Sequence, residues 1–326
     1  MSRCAAFVVL LLALLAGCGD DASTPAVSSG PAAVENCGQR VEVPAPPKRA
    51  VALSQPGGEI MLSLGLADRM AGTAYFGDPV LPRLRRAYES VPVLAKTYPS
   101  FERVLAAEPD FAYGSFASAF SAEGVATRDR FAKLGIPTYL SPSECVPQSD
   151  EQARALAEND LFGEILDIAR LFGVRERGER LVAGLRERLD RVRDATDAGD
   201  VSLMWWYSNT SAPYVAGCCG APALMTRAIG AKNAFGDNRK LWPEIGWEAI
   251  LKRDPDVLVL ADLTRGNDGD SAKVKMRFLE RDPVARRLTA VRRKRYVVLT
   301  GSEMDPGVRN VDGVEKLAAG LRRLGL

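Results

Sequence analysis

Histidine is absent from the 326 residues of this chain. That absence removes Ser-His-Asp and Cys-His nucleophilic catalysis, together with any zinc, iron or haem site that depends on imidazole. Net charge is nearly absent too. Against 43 Lys and Arg stand 41 Asp and Glu, a formal balance of +2, and no run of interleaved basic and aromatic residues marks a nucleic-acid surface. The apolar run AAFVVLLLALLA, residues 5–16, is too short to cross a bilayer as a mature helix. What remains is an ordinary globular composition, 47% hydrophobic and 26% charged, in a chain long enough for two domains.

The chain is organised around Asp160 to Thr196, a proline-free stretch in two helical pieces. Leu161, Ile165, Ile168 and Phe172 fall on one face of the first piece. Gly173 breaks the pattern. Leu181, Val182, Leu185, Leu189 and Val192 then form a narrow stripe under a coat of Arg, Glu and Asp, which suits a helix lying along a body. On either side the sequence repeats itself. SFERVLAAEPDFAYG (Ser100 to Gly114) aligns without a gap to GWEAILKRDPDVLVL (Gly246 to Leu260), setting Glu102 on Glu248 and Pro109-Asp110 on Pro255-Asp256. Each copy reads as a short helix, a Pro-Asp turn and an apolar strand. A looser echo relates GEIMLSLGLADRMAG (Gly58 to Gly72) to ALMTRAIGAKNAFG (Ala223 to Gly236). Two related half-chains around one helical connector predict an α/β fold. Two Rossmann-like lobes are joined by one long backbone helix, with the ligand cleft between them.

Residues 1–17 read as a signal peptide. The run ends in Leu15-Ala16-Gly17-Cys18, which resembles the lipobox of bacterial lipoproteins, so Cys18 is the expected lipidation site and residues 18–35 a flexible tether. The boundaries expected thereafter are an N-terminal lobe over 36–150, a helical connector over 151–197 and a C-terminal lobe over 198–326. Export places Cys37, Cys145, Cys218 and Cys219 in an oxidising compartment. Four cysteines allow three pairings. Cys37 and Cys145 stand at the two ends of the first lobe and are the expected bridge, leaving the adjacent Cys218-Cys219 as free thiols or a vicinal disulfide. Two thiolates without further ligands make a poor soft-metal site, and no metal ligated directly by the protein is expected.

Strands alternate with helices in both half-chains, so the sheets are expected to be mainly parallel, with ligands meeting the loops at the carboxyl ends of the strands. In the first lobe those loops carry Gln55, Tyr75, Phe76, Lys96, Tyr98 and Phe116. In the second they include the glycine-rich stretch after VSLMWWY, the segment around Trp242, and Gly301 to Arg309 before the last helix. For any one of these aromatics a core or rim position is the stronger reading. Their collection in matching loops is what marks a pocket.

PKRAVALSQPGGEIMLSLGLADRMAGTAY, VPVLAKTYPSFERVLAAEPDFAYG, NAFGDNRKLWPEIGWEAILKRDPDVLVLAD and LTAVRRKRYVVLTGSEMDPGVRNVDGVEKLAAGL resemble successive blocks of the periplasmic-binding proteins for ferric siderophores and vitamin B12. These form the helical-backbone (class III) type that serves ABC importers. The resemblance implies little hinge closure and a docking glutamate on each lobe, at Glu102 and Glu248, facing arginines of the permease. Helix-end glutamates favoured by the helix dipole are the plainer reading of both. It aligns Phe76, Lys96, Tyr214, Trp242 and Arg309 with ligand contacts, and Tyr98 shares the loop of Lys96. Vitamin B12 binders have an aromatic residue in place of Lys96, so lysine there, with Arg309, points to an anionic metal chelate such as a ferric siderophore. A corrinoid or an anionic cofactor precursor of the deazaflavin phosphodiester kind is the alternative. The implied partners are an ABC permease with its ATPase, a small-molecule ligand, and the outer face of the bacterial cell membrane through the lipid anchor. The protein is expected to be monomeric, to need no cofactor and not to be an enzyme. A surface sensor or adhesin on the same fold is a reading from another class. A thiol oxidoreductase using Cys218-Cys219 is a third, and it lacks both CxxC spacing and a base.

Overall fold

The computed structural model describes residues 30–147, 150–152 and 154–326. The signal peptide, Cys18 and most of the expected tether lie outside the described residues. The tether nonetheless ends earlier than expected. β1 (Ala32–Asn36) pairs antiparallel with β2 (Gln39–Val43), Asn36 opposite Gln39. The two residues between, Cys37 and Gly38, have φ of 52° and 73°, the twist that a tight hairpin needs and that glycine tolerates best. Ala32 to Glu35 looked like linker because a small, weakly apolar strand has no sequence mark of its own.

The first lobe is a five-stranded parallel sheet in the order β5-β4-β3-β6-β7. Its elements run β3 (Ala50–Ala52), α1 (Gln55–Ser63), β4 (Met70–Ala74), α2 (Arg85–Glu89), β5 (Val93–Ala95), α3 (Phe101–Leu105), β6 (Phe111–Gly114), α4 (Arg128–Ala132) and β7 (Thr138–Leu140). The connector is α5 (Glu158–Leu171) and α6 (Arg175–Ala195), separated by Gly173 at φ 67°. The second lobe runs β8 (Ser202–Ser208), β9 (Tyr214–Val215), α7 (Ala221–Ala228), β10 (Lys232–Asn233), α8 (Trp247–Arg253), β11 (Val257–Asp262), α9 (Ala272–Arg281), α10 (Thr289–Arg292), β12 (Tyr296–Thr300), α11 (Gly301–Met304) and α12 (Arg309–Arg323). Its parallel strands lie in the order β10-β8-β11-β12, with β9 antiparallel on β8.

The two sheets share a plan. β3 and β8 each sit between the next parallel strand in the chain, β4 or β10, and the strand that closes the repeated segment, β6 or β11. That makes both a switch point in strand order. The repeated Pro-Asp has a structural cause. Asp110 accepts the backbone N–H groups of Lys48 and Arg49 (2.7 and 2.9 Å) ahead of β3, and Asp256 accepts the N–H and hydroxyl of Ser202 (2.9 and 2.7 Å) at the head of β8. In both lobes one carboxylate sets the register of the incoming strand against its neighbour.

Glycine decides several close approaches. The stretch Ser54 to Gly58 was expected as a loop but opens α1. A Cβ on Gly58 would meet the Phe76 ring at 2.6 Å, and one on Gly57 would meet Tyr113 and Ser115 at 3.0 Å. Pro56 is tolerated in the first helical turn, where its missing donor costs nothing.

The connector packs as its stripe predicts. Leu161, Ile165, Ile168 and Phe172 are buried, as are Val182, Leu185 and Leu189. α6 is 21 residues long, about 30 Å at the α-helical rise, and it is tied at both ends. Arg177 donates to the carbonyls of Leu64 and Gly65 at the end of α1, and Arg188 binds Glu315 and Asp312 on α12. One apolar core runs through both lobes, taking in Ile60, Ile165, Leu185, Val259 and Val311. Separate outer cores lie around Phe131 and Trp206. Because interiors pack at crystal-like density, lobes that share a core cannot swing widely.

Cys37, at the hairpin tip, is joined to Cys145, just past β7, with Cα atoms 5.0 Å apart, and Cys218 is joined to Cys219. Beside the first bridge, Asn36 pairs with both backbone groups of Leu140 (2.7 and 2.9 Å). Non-reducing peptide mapping is expected to recover Cys37 cross-linked to Cys145. The double variant C37S/C145S is expected to lose about 2–5 kcal/mol of stability by chemical denaturation. A peptide joining Cys37 to Cys218 or Cys219 would overturn the pairing.

Candidate functional site in the cleft between the lobes

The carboxyl ends of both sheets face one another across a cleft. A small cavity of about 20 Å³, partly open to solvent, is lined from the first lobe by Phe116, Ser143 and Glu144. From the second it is lined by Gly220, Leu241, Trp242 and the Met304-Asp305-Pro306 turn, among others. Aromatic rings form both walls. Tyr75 stacks on Tyr98 with centroids 4.7 Å apart and meets Phe116 edge-on at 6.3 Å. Opposite them, Trp242 leans on Tyr207 at 4.8 Å. Tyr75 is held at φ 56°, a left-handed conformation that an aromatic residue adopts only under local constraint. It turns the chain sharply at the end of β4.

The polar groups of the cleft are mostly acidic. Burial pushes the Asp305 carboxyl up to about 8, and the nearby carboxylates of Asp78 and Glu144 add to this, while Arg265 and the Tyr207 hydroxyl work against it. Asp78 accepts the backbone N–H of Ser302 across the cleft (2.7 Å). Glu144 accepts that of Ala117 (3.2 Å). Burial raises Tyr98 to about 12 and Tyr207 well above its ordinary range, so both phenols stay neutral donors. Arg265, in the loop after β11, binds Asp270 (2.7 and 3.4 Å) and lies over the Tyr207 ring at 5.4 Å. That loop is pinned from behind by Lys275. Fully buried, it donates to the carbonyls of Ala261 and Asp270 (both 2.7 Å), and burial lowers it to about 8. Among the described residues no group of Cys, Asp and Glu is arranged to hold a metal ion.

Residues 51–303 match the family model described as periplasmic binding protein. The chain belongs to the periplasmic binding protein family. This binding protein is of the helical-backbone, ferric-siderophore and vitamin B12 type, whose members hand small molecules to ABC importers outside the cytoplasm. It is 24% identical over 237 residues to a vitamin B12-binding protein of Vibrio campbellii, covering 71% of this chain and 76% of that one. A periplasmic binding protein from Veillonella parvula superposes with a TM-score of 0.79 at 27% identity, over 90% of this chain and 98% of its own. An ABC-type Fe3+-hydroxamate transport protein from Saccharomonospora viridis gives 0.74 at 26% identity, over 89% and 98%.

The residues expected at the ligand divide accordingly. In this binding protein Trp242 lines the cavity, while Tyr98 stacks on Tyr75 and is not among the lining residues. Phe76 is turned away from it, with its ring stacked on Tyr88 at 4.8 Å and pressed over Gly58. Tyr214, exposed on β9, reaches Glu244 instead. Lys96 is exposed in the loop after β5 and is not among the residues that line the cavity. Arg309 requires a correction. It is 5% exposed at the head of α12, and its guanidinium forks onto Glu59 of α1 and donates to the carbonyl of Pro79 (2.7 Å). The Lys96–Arg309 pair expected to read an anion does not form. A basic residue in a loop before a helix looks alike in sequence whether its partner is a ligand or a buried glutamate 250 residues away. Tyr207, Arg265 and Asp305 were missed as site residues. Each nonetheless lies at or just past the carboxyl end of a strand, and that position was the available signal.

Glu102 and Glu248 occupy corresponding places. Both are exposed in the first turns of α3 and α8, each beside a buried aromatic anchor, Phe101 or Trp247. The backbone N–H of Glu102 and the Ser100 hydroxyl hold its carboxyl below the usual range.

Proposed function

We propose that this chain is the lipid-anchored solute receptor of an ABC importer. It is exported with Cys18 acylated, captures a metal chelate of the ferric-siderophore kind in the cleft, and presents it to the permease through Glu102 and Glu248. The observation that carries this reading is the cleft itself. Aromatic residues at the carboxyl ends of the two sheets gather about one cleft, between lobes that share an apolar core. The chain has no histidine and no metal-ligating cluster among its described residues, so this reading has the whole chelate recognised by stacking and hydrogen bonding. The Fe3+-hydroxamate relative supports a siderophore. The vitamin B12-binding relative supports a corrinoid as the second reading, since a broad planar ligand also suits facing aromatic walls. The test is to purify the mature chain, without its lipid, from its own host grown under iron and cobalamin limitation in turn, and to identify what co-purifies by mass spectrometry. A metal chelate or corrinoid is expected at near one per protein. An empty protein that also fails to take up either class on titration would overturn the receptor reading.

A further inference from the structure

We infer that the cleft selects a chelate carrying a positive or hydrogen-bond-donating group directed at Asp305, not an anion. This deepens the receptor reading and rests on it. Asp305 and Glu144 line the cavity; among the described residues the other charged groups acting on Asp305 are Asp78 and Arg265, and Arg265 is already bound to Asp270. Arg309, the other cation expected there, is neutralised by Glu59. An anionic chelate entering this space finds the Arg265 guanidinium already paired and meets the Asp78 carboxylate, joined by that of Asp305 once it ionises, and desolvation makes that repulsion stronger than in water. The walls act in the same direction. The faces of Tyr75, Tyr98, Tyr207 and Trp242 are rich in π-electron density and attract cations, and the Tyr207 ring already carries the Arg265 guanidinium. The carboxylates are not grouped to strip and hold a bare metal, so their partner belongs to the organic part of the ligand.

A ferric ion held by hydroxamates is neutral overall, and a pendant amine makes the complex a cation. Catecholate and carboxylate chelates stay strongly negative. A matched pair therefore isolates the charge: ferrioxamine B, whose free ammonium makes it a cation, and its N-acetylated form, which keeps the same iron centre without the charge. The probes are titrated against tryptophan fluorescence of the full mature chain, with a ferric tris-catecholate and cyanocobalamin alongside. Ferrioxamine B is expected to bind at least tenfold more tightly than the acetylated form, and the tris-catecholate more weakly than either. Asp305→Asn is expected to erase the tenfold difference. The variant is expected to fold with an unchanged or raised Tm at pH 8, because it removes a half-buried carboxyl crowded by Asp78 and Glu144.

The pH profile is a second readout. The groups facing Asp305 are Asp78, Glu144, Arg265, Tyr207, Tyr75 and Tyr98. With its folded pKa at about 8, Asp305 holds a proton in the empty protein at neutral pH, and a bound cation expels it. Affinity for ferrioxamine B should then rise between pH 6 and 9, while affinity for the acetylated form stays flat. Equal binding of the matched pair, tighter binding of the tris-catecholate, or an affinity that falls with pH would overturn the charge inference, with binding itself leaving the receptor reading intact. Failure of every probe, together with an empty protein from the native host, would overturn both.

Discussion

Replacing Arg309 by Ala is expected to lower the unfolding free energy by about 3–5 kcal/mol, the cost of leaving a buried charge unpaired. Glu59 is fully buried in the first helix of one lobe. Its carboxylate receives two guanidinium bonds from the last helix of the other lobe, and also accepts from Gln55 Nε2 (3.2 Å) and the Leu81 N–H (3.3 Å). Removing the guanidinium leaves those neutral donors to solvate the anion, and they are too few. The double variant E59L/R309M is expected to recover most of the loss, since an apolar pair of similar volume often replaces a buried ion pair at no net cost. Urea denaturation of the wild type, both single variants and the double variant measures the coupling directly. If Arg309→Ala left stability within about 1 kcal/mol of wild type and weakened ligand binding instead, the guanidinium would belong to the ligand and the clasp would be wrong.

The clasp also shows where sequence reading stops. Local and repeated features were legible: the two-piece connector from its apolar stripe and Gly173, and the duplicated lobes from Pro109-Asp110 and Pro255-Asp256. The walls were legible as loops at strand ends. Partnership was not. Glu59 lies in a helix whose first residues, Gln55-Pro56-Gly57-Gly58, read as a loop. Nothing local to Arg309 reveals that α1 of one lobe meets α12 of the other. The acidity of the cleft was hidden for the same reason. Asp78, Glu144 and Asp305 are spread over more than two hundred residues of sequence and become neighbours only when both sheets are built. Arg265 was hidden by its own setting, in a loop of Thr, Arg, Gly, Asn and Asp that reads as solvent-exposed. Its place depends on Lys275, a lysine buried against expectation, fixing the backbone behind it.

The double reversal Glu102→Arg/Glu248→Arg is expected to abolish import while leaving ligand affinity within about twofold of wild type. Both carboxylates stand clear of the cleft, on α3 and α8, which occupy equivalent places in lobes that share one core. The distance between them is therefore nearly constant, and a rigid permease surface can meet both at once. Engaging two linked sites gains far more than either alone. Close interfacial charge pairs couple by about 1.5–7 kcal/mol, and reversing a charge replaces attraction with repulsion, so each single reversal should cut uptake partly and the pair should reduce it to background. Both positions are exposed first-turn residues, and their buried anchors Phe101 and Trp247 are untouched, so folding is preserved. The helix dipole disfavours arginine there by less than about 1 kcal/mol. Glu123→Arg, another exposed glutamate of the first lobe, serves as the control and should leave uptake unchanged. Uptake of labelled ligand into cells carrying the permease is the measurement, read beside fluorescence titration of the same variants. Import that survives the double reversal would remove these glutamates from the docking surface. Import restored by acidic substitutions at the facing permease arginines would establish the pairing in register.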